Sequence, residues 1–412
     1  PPYTVFPNKA KILIVALVSI AGFFSPLAIN IYIPALPEIS KELGISNSKA
    51  MLSVTSFMIF QGISPSFWAT AAESYGRRPV YIATFLVFII ANILLAVTDT
   101  FTSLILLRCL QAAGSSTVIS IGAGTIKDIA TADVLGSYIG WYGIGKTMGP
   151  CIGPVVGGIL AAQWGYRSIF WFLTVTSALF MVVMTLTLPE TLRSMVGNGS
   201  IPAKGIWAPM VNLYPVPKDI APDYHSLAPK KERMDFLEPL KMLFKKDIFI
   251  LVATNGVVYG AYYTVSTSAP DTFRTLYGLS QMQIGLTFIP SGVGAAIGSV
   301  IAGNLLDREY LLFVRRDPDA FPQLQPTPGR KRRVVFPPEF PLEQARLRAI
   351  FPYYGIYVAT MVAYGWCLQA QVSLAVLLFL QFLLAFAATS IYVPLNTLSI
   401  DLYPSQAATV AA

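Results

Sequence analysis

Charge is what this sequence has least of. Asp, Glu, Lys and Arg together make up 12% of its 412 residues, against 54% hydrophobic. A soluble domain carries about a quarter of its residues as charges, so a fold that faces water on all sides does not fit. Histidine occurs once, at His225 in a polar loop, which argues against membrane enzymes that assemble a metal from clustered imidazoles. The three cysteines, Cys109, Cys151 and Cys367, lie in apolar runs without CxxC spacing. They read as small packing residues, not as a disulfide framework or a metal site. Carboxylates are missing from the interior of every apolar run; the nearest are Glu38, Asp128 and Asp271 at run ends.

What is present is long apolar sequence, with a mean hydropathy of +0.60. Runs of roughly 20 residues cross a hydrocarbon core of ~30 Å as helices. Such runs fall near 11–35, 50–70, 80–98, 102–125, 136–162, 168–188, 247–269, 281–306, 349–367 and 372–398. The first is too long for a signal peptide and is followed by Pro34 and Pro37 instead of a small-residue cleavage site. Residue 1 is Pro, and the closing "DLYPSQAATVAA" turns small and apolar as if opening another span, so the sequence reads as cut at both ends.

The net charge of +8 is distributed by side. Most of the basic residues fall in segments that share one face, among them Lys9, Lys11, Arg77, Arg78, Lys127 and the loops 189–246 and 307–348. This is the positive-inside pattern, which places the N-terminus in the cytoplasm and gives no reason to invoke nucleic acid.

Three regions follow: an N-terminal six-helix bundle over 1–188, a central cytoplasmic loop over 189–246, and a C-terminal bundle over 247–412 holding helices seven to ten and the start of an eleventh. The loop is Pro-rich and aperiodic, a flexible linker. Its sequon, Asn198-Gly199-Ser200, is on the wrong side for glycosylation. At its end, Asp235 to Lys246 alternates apolar residues with lysines, which suits either a short helix on the anionic inner leaflet or a solvated linker helix. A weak repeat links the bundles. The second span runs into Glu73, Gly76, Arg77 and Arg78, and the eighth into Gly303, Asp307 and Arg308.

The stretch "GWYGIGKTMGPCIGPVVGG", 140–158, fits two patterns. Gly140 to Thr147 matches G-x-x-x-x-G-K-[ST], a phosphate-binding loop. That loop needs a preceding strand and water, whereas Lys146 lies roughly 15 Å into a continuous apolar span at 1.5 Å per residue. No nucleotide is expected. In the other pattern, Gly145, Gly149, Gly153 and Gly157 recur every fourth residue beside Pro150 and Pro154. They form a small-residue stripe that lets a second helix approach closely, on a span bent by proline.

Gly140, Gly149, Gly153, Pro154, Gly157 and Gly158 also fit G-x8-G-x3-G-P-x2-G-G. This resembles the fifth-helix antiporter motif of drug:proton exporters in the major facilitator superfamily. "ESYGRRP" is similar to that superfamily's loop between helices two and three, with Glu73 and Ser74 departing from the usual Asp and Arg, and "RCLQAAGSS" to its fourth-helix signature through Arg108 and Gln111. "LPETLR" at 188–193 also matches that superfamily, and in the second half "YGLSQMQIGLTFIPSGVGAAIGS", "GNLLDREY" and "FPLEQARLR" resemble fungal twelve-spanners of the quinidine-resistance type.

The resemblance implies an all-α polytopic membrane protein of the major facilitator fold, in two six-helix halves, here truncated after helix ten. It implies a plasma-membrane secondary transporter, monomeric and without cofactor. Such a protein exports small amphipathic drugs, toxins or metabolites against a proton gradient. It also implies that Arg108 takes part in proton transfer, and that Glu73, Gly76, Arg77, Arg78, Asp128, Asp307 and Arg308 latch the cytoplasmic face.

From the residues themselves, Arg108 and Lys146 are charges inside spans, where charge marks a pathway or an ion pair. Two buried cations without a buried anion suit an anionic solute. Asn30, Tyr32, Gln61, Gln111, Asn255, Tyr259 and Tyr262 are candidates for the cavity wall; Asn255, Tyr259 and Tyr262 share one helix face. An uncoupled facilitator or importer, an organic-anion transporter, a membrane-embedded transferase and a non-transporting truncated product remain open alternatives.

Overall fold

The computed structural model describes residues 3–131, 134–211, 238–279, 281–316 and 341–403, with single positions at 213, 222, 224 and 227. His225 and the segment after residue 403 lie outside them. Every element among the described residues is helical. That follows from the solvent: in hydrocarbon each backbone N–H and C=O must be paired within its own segment, which a helix achieves.

Helix α1 runs Asn8–Asn30 and continues through a 3-10 turn, Ile33–Ala35, into the short α2, Leu36–Glu42. The next spans are α3 (Asn47–Tyr75), α4 (Arg77–Val97), α5 (Phe101–Ser115) and α6 (Thr117–Ile129), followed by α7 (Leu135–Trp164) and α8 (Arg167–Thr187). The expected fourth span is thus two helices meeting at Ser116. Side chains of Ser46 and Thr100 accept from backbone N–H groups at the starts of α3 and α5, the usual service of such residues at an N-cap.

After α8 the chain forms α9 (Arg193–Val196), then α10 (Glu238–Leu243) and α11 (Lys246–Tyr277). Next are α12 (Gln281–Leu286), α13 (Ile289–Arg316), α14 (Leu342–Leu347), α15 (Ile350–Gln369) and α16 (Leu374–Leu402). Nine segments among the described residues are long and apolar enough to cross a bilayer. Helix α15 also forms where a span is expected, its apolar character diluted by Tyr353, Tyr354, Tyr357 and Tyr364.

The N-terminal helices share one core, in which Phe24, Phe85, Phe88 and Phe180 pack edge-on and tilted. The C-terminal helices have their own cores, around Tyr310, Leu384 and Ile391 and around Phe273, Tyr364 and Leu377. Large apolar side chains such as Leu179 (64%) and Trp366 (72%) point outward. A belt of that kind belongs against lipid.

Helix α7 joins the two sets. Its glycines divide between two neighbours. A Cβ at Gly145 or Gly157 would strike the carbonyl oxygens of Ser19 and Ile31, and one at Gly149 or Gly153 would come within 2.7 and 2.9 Å of Leu27 and Asn30. These four therefore seat α7 on α1. Gly140 does not share that face: it sits on α13, its Cβ position meeting Ser299 and Gly303. Gly158 has nothing within 4 Å. The motif thus covers two contacts and one open position, because drift around the helix separates residues nine apart.

Residues 189–211, expected as the start of a flexible linker, are instead folded onto the N-terminal bundle. Arg78 donates to the carbonyls of Thr185, Ile206 and Ala208, and Trp207 Nε1 donates to Tyr75 O at 2.7 Å. Asn198 and Ser200 of the sequon are buried. Of the amphipathic stretch 235–246, residues 235–237 lie outside the described set; Met242 is buried, while Leu243 and Phe244 are exposed.

Candidate functional site

The charged residues collect at one end of the bundle, the basic end. There Arg77 Nε meets Asp128 Oδ2 at 3.0 Å, both nearly buried. Glu73 is buried and adds its charge to the same guanidinium. The expected latch at this point was between bundles. The pair instead closes within one bundle, from the start of α4 to the end of α6.

Glu190, quoted only within "LPETLR" at the sequence level, organises this corner. Its carboxylate accepts from the backbone N–H groups of Arg77 (3.0 Å), Arg78 (3.1 Å), Thr191 (2.9 Å) and Leu192 (2.9 Å). A carboxylate at a helix start satisfies orphan donors and complements the helix dipole. Burial raises the Glu190 carboxyl above the ordinary glutamate value, against the four donors that favour the anion. Gly76 makes room for it, since a Cβ there would lie 2.5 Å from Glu190 Oε2, and its φ of 110° suits glycine alone.

Two contacts at the basic end do cross between bundles. Asp307 of α13 accepts from the N–H groups of Gly136 and Ser137, each at 2.9 Å, and from the Ser137 hydroxyl, so it caps the start of α7. Arg308, expected beside it in the latch, is exposed. The second is Asp401, fully buried near the end of α16. It takes Lys127 Nζ of α6 at 2.5 Å on one oxygen and Arg346 Nη2 of α14 at 2.8 Å on the other. The sequence reading ended this span at 398 and so missed both Asp401 and Arg346. The signal that was available is a second Arg…Asp spacing: Arg77 to Asp128 in one half, Arg346 to Asp401 in the other.

Toward the far end the contacts between bundles lose their charge. Cys151 lies against Gly292 and the Ile289 carbonyl, and Val155 against Gly285. Dispersion and one weak bond, from the Cys151 thiol to the Ile289 carbonyl at 3.9 Å, hold these surfaces together.

Arg108 is fully buried in the N-terminal bundle. Its guanidinium lies between the rings of Tyr32 (4.1 Å) and Phe57 (4.4 Å). Nη1 donates to Gln111 Oε1 at 2.5 Å and to Ala28 O at 3.3 Å. Gln111 in turn donates to Asn92 Oδ1 at 2.7 Å, and Tyr32 shares a 2.7 Å bond with Ser53. Asn30 donates to Pro26 O at 2.7 Å, and Gln61 to Ser25 at 2.8 Å. Four of the residues expected around a cavity (Asn30, Tyr32, Gln61 and Gln111) are thus bonded inside their own bundle, because a buried polar group without a partner is costly. Arg108, expected to take part in proton transfer, is bonded there through Nη1, with Nε and Nη2 left without a hydrogen-bond partner among the described residues.

Lys146 is placed differently. It is half-buried, and its Nζ donates at 3.1 Å to the hydroxyl of Tyr392 on α16, across the two bundles. The same ammonium lies over the rings of Tyr142 (4.9 Å) and Tyr392 (4.5 Å). Its stem rests against Gly22 of α1. Tyr259, 59% exposed, stacks on Tyr263 at 5.7 Å, and its phenol interacts with that of Tyr392. Through Tyr392 it lies next to the Lys146 contact. Tyr262 packs on the C-terminal core and Asn255 is half-buried. Tyr392 carries no sequence pattern that would have singled it out.

Comparison with known proteins agrees with this architecture. Residues 18–412 match the Major Facilitator Superfamily. Citrate exporter 1 of Aspergillus niger is 39% identical over 416 residues, covering all of this chain and 78% of its own length. Quinidine resistance protein 1 of Saccharomyces cerevisiae is 33% identical over 424 residues, covering 99% of this chain and 75% of its own. The crystal structure of the human organic anion transporter MFSD10 superposes with a TM-score of 0.53 at 15% identity, over 98% of this chain and 92% of that one. Two helical bundles hinged on glycine-lined contacts, with charge gathered at one end, are thus the frame of a multi-pass membrane transporter for small molecules, and the chain belongs to the Major Facilitator Superfamily of secondary transporters.

Proposed function

We propose that this chain exports a small organic solute in exchange for protons, by rocking an N-terminal bundle (1–188) against a C-terminal one (247–412) about the space around Lys146. The 189–246 segment joins them. The observation that carries the reading is the uneven closure between bundles. The Asp307 cap on α7 and the Asp401–Lys127 pair join them at the basic end, while the far-end contacts around Cys151 and Val155 carry no charge. Charge-assisted contacts at helix ends have two discrete states, made or broken, which suits a rigid-body switch.

The distribution of Lys and Arg supports a cytoplasmic basic end and N-terminus. The protein then stands with its cytoplasmic gate closed. Relatives named for citrate export and quinidine resistance support outward movement, and one from Candida albicans named an MFS antiporter supports exchange, for which protons are the counter-ion proposed; the membrane proposed is the plasma membrane. The transporter acts as a monomer, with the proton gradient in place of a cofactor or nucleotide. Reconstitution into proteoliposomes tests this. An imposed pH gradient should drive accumulation of at least one labelled solute, and collapse of the gradient should abolish it. Uptake of every solute that is indifferent to the gradient would sink the antiport reading.

A further inference from the structure

We propose that the cargo carries a carboxylate and that Lys146 holds it, with Tyr392 as the second donor and the Tyr142 and Tyr259 rings as walls. The inference rests on the reading of the space between the bundles as the transport path, and it deepens that reading by naming the substrate class.

The argument begins with charge balance. The carboxylates in the described spans stand toward their ends: Glu73, Asp128, Asp247, Asp307, Glu309 and Asp401 toward the basic end, and Glu38, Glu42, Asp99 and Asp271 toward the far end. Ion pairs hold Arg77, Lys127, Arg167 and Arg346. Arg108 is fully buried and closed in by two aromatic faces, so a solute does not reach it. Lys146 differs on each count. It is half-buried, its hydrogen bond among the described residues goes to a neutral phenol, and no carboxylate among them pairs with it.

A lysine ammonium has three donors. The 3.1 Å bond to Tyr392 uses one, and the faces of Tyr142 and Tyr392 stabilise the charge without satisfying the rest. Aromatic faces make a cation tolerable away from water, while a charge-assisted bond to an oxyanion would add more. One ammonium beside one phenolic O–H matches a carboxylate: one oxygen takes the ammonium and the other the hydroxyl. An organic cation would be repelled.

Position makes the contact useful. Lys146 is anchored on α7 of one bundle, and its present partner is on α16 of the other. A carboxylate that inserts between Nζ and the Tyr392 hydroxyl bridges both bundles. When the bundles rock apart, one of its two contacts is lost and release follows. Binding and movement are thus coupled through the same atoms.

The test uses the purified chain and measures binding separately from transport. Radiolabelled citrate and salicylate are the carboxylate probes and tetraphenylphosphonium the cationic one. The expected result is saturable binding of at least one carboxylate, weakened about tenfold or more by Lys146→Gln and largely kept by Lys146→Arg. On the unsubstituted protein, that carboxylate should slow acylation of Lys146, mapped by mass spectrometry, while tetraphenylphosphonium does not. This arm needs no variant to fold. Failure of both carboxylates to bind, or binding that neither protects Lys146 nor responds to Lys146→Gln, overturns the assignment. Gradient-driven uptake of tetraphenylphosphonium alone would also overturn it, yet leave proton-coupled export standing. Lys146-dependent carboxylate binding without gradient-driven uptake would do the reverse.

Discussion

The two bundles carry the same device at the basic end and use it differently. In the N-terminal bundle Arg77, at the start of α4, pairs with Asp128, at the end of α6. In the C-terminal bundle Arg346, just before α15, pairs with Asp401, at the end of α16. The first pair is completed by Glu190 from the same bundle, so it is a brace. The second is completed by Lys127 from the opposite bundle, so it is also a clasp. The difference lies in the third partner. Glu190 holds the backbone of Arg77 and Arg78 within one bundle, whereas the second oxygen of Asp401 takes a cation from the opposite one and ties the two together.

The largest effect separating brace from clasp should come from removing the carboxylates. Asp128→Asn strands one buried guanidinium, and Asp401→Asn strands a guanidinium and an ammonium. Breaking a buried pair costs about 3–5 kcal/mol, so both variants should melt at markedly lower temperature in detergent, with Asp401→Asn the worse. Equal losses, or a larger one at Asp128, would contradict the shared role of Asp401.

A middle-sized effect distinguishes what each third partner does. Glu190→Gln weakens the cap on α4 and should cost about 1–3 kcal/mol of stability without altering how the bundles sit. Lys127→Gln leaves the Arg346–Asp401 pair in place, so its stability loss should be smaller. It should, however, open the basic end. Spin labels at the exposed positions 9 and 312 would report this as a longer distance in Lys127→Gln and an unchanged one in Glu190→Gln. A widened distance in both would make the Glu190 corner part of the clasp as well.

The smallest effect is expected at Arg308. It is exposed beside Asp307, whereas the Asp307 carboxylate is taken up by the start of α7. Arg308→Gln should change stability by less than about 0.5 kcal/mol and leave the label distances as they are. A large change would place Arg308 in the latch after all.

Much of the frame was legible in the sequence. Apolar length marked the spans, and the four-residue glycine period marked a face of α7 that another helix approaches. Lys146 stood out because a charge in an apolar run is costly wherever it lies. These are local signals, set by the rise of a helix and the thickness of a bilayer. They hold whatever the neighbours are.

What the sequence could not settle was who those neighbours would be. Glu190 reaches Arg77 across 113 positions, Asp401 reaches Lys127 across 274, and Tyr392 reaches Lys146 across 246. No periodicity links residues so far apart. Only the packing of α7 between α1 and α13 brings the bundles into register. Arg108 shows the same limit from the other side. As a sequence feature it ranked with Lys146, yet aromatic rings enclose it within one bundle, while Lys146 is set between two. The sequence by itself determined that charge would enter the membrane, and where along each helix. Which charge is enclosed and which is left reachable was decided by tertiary structure, because desolvation depends on what surrounds a group and not on its position in the chain.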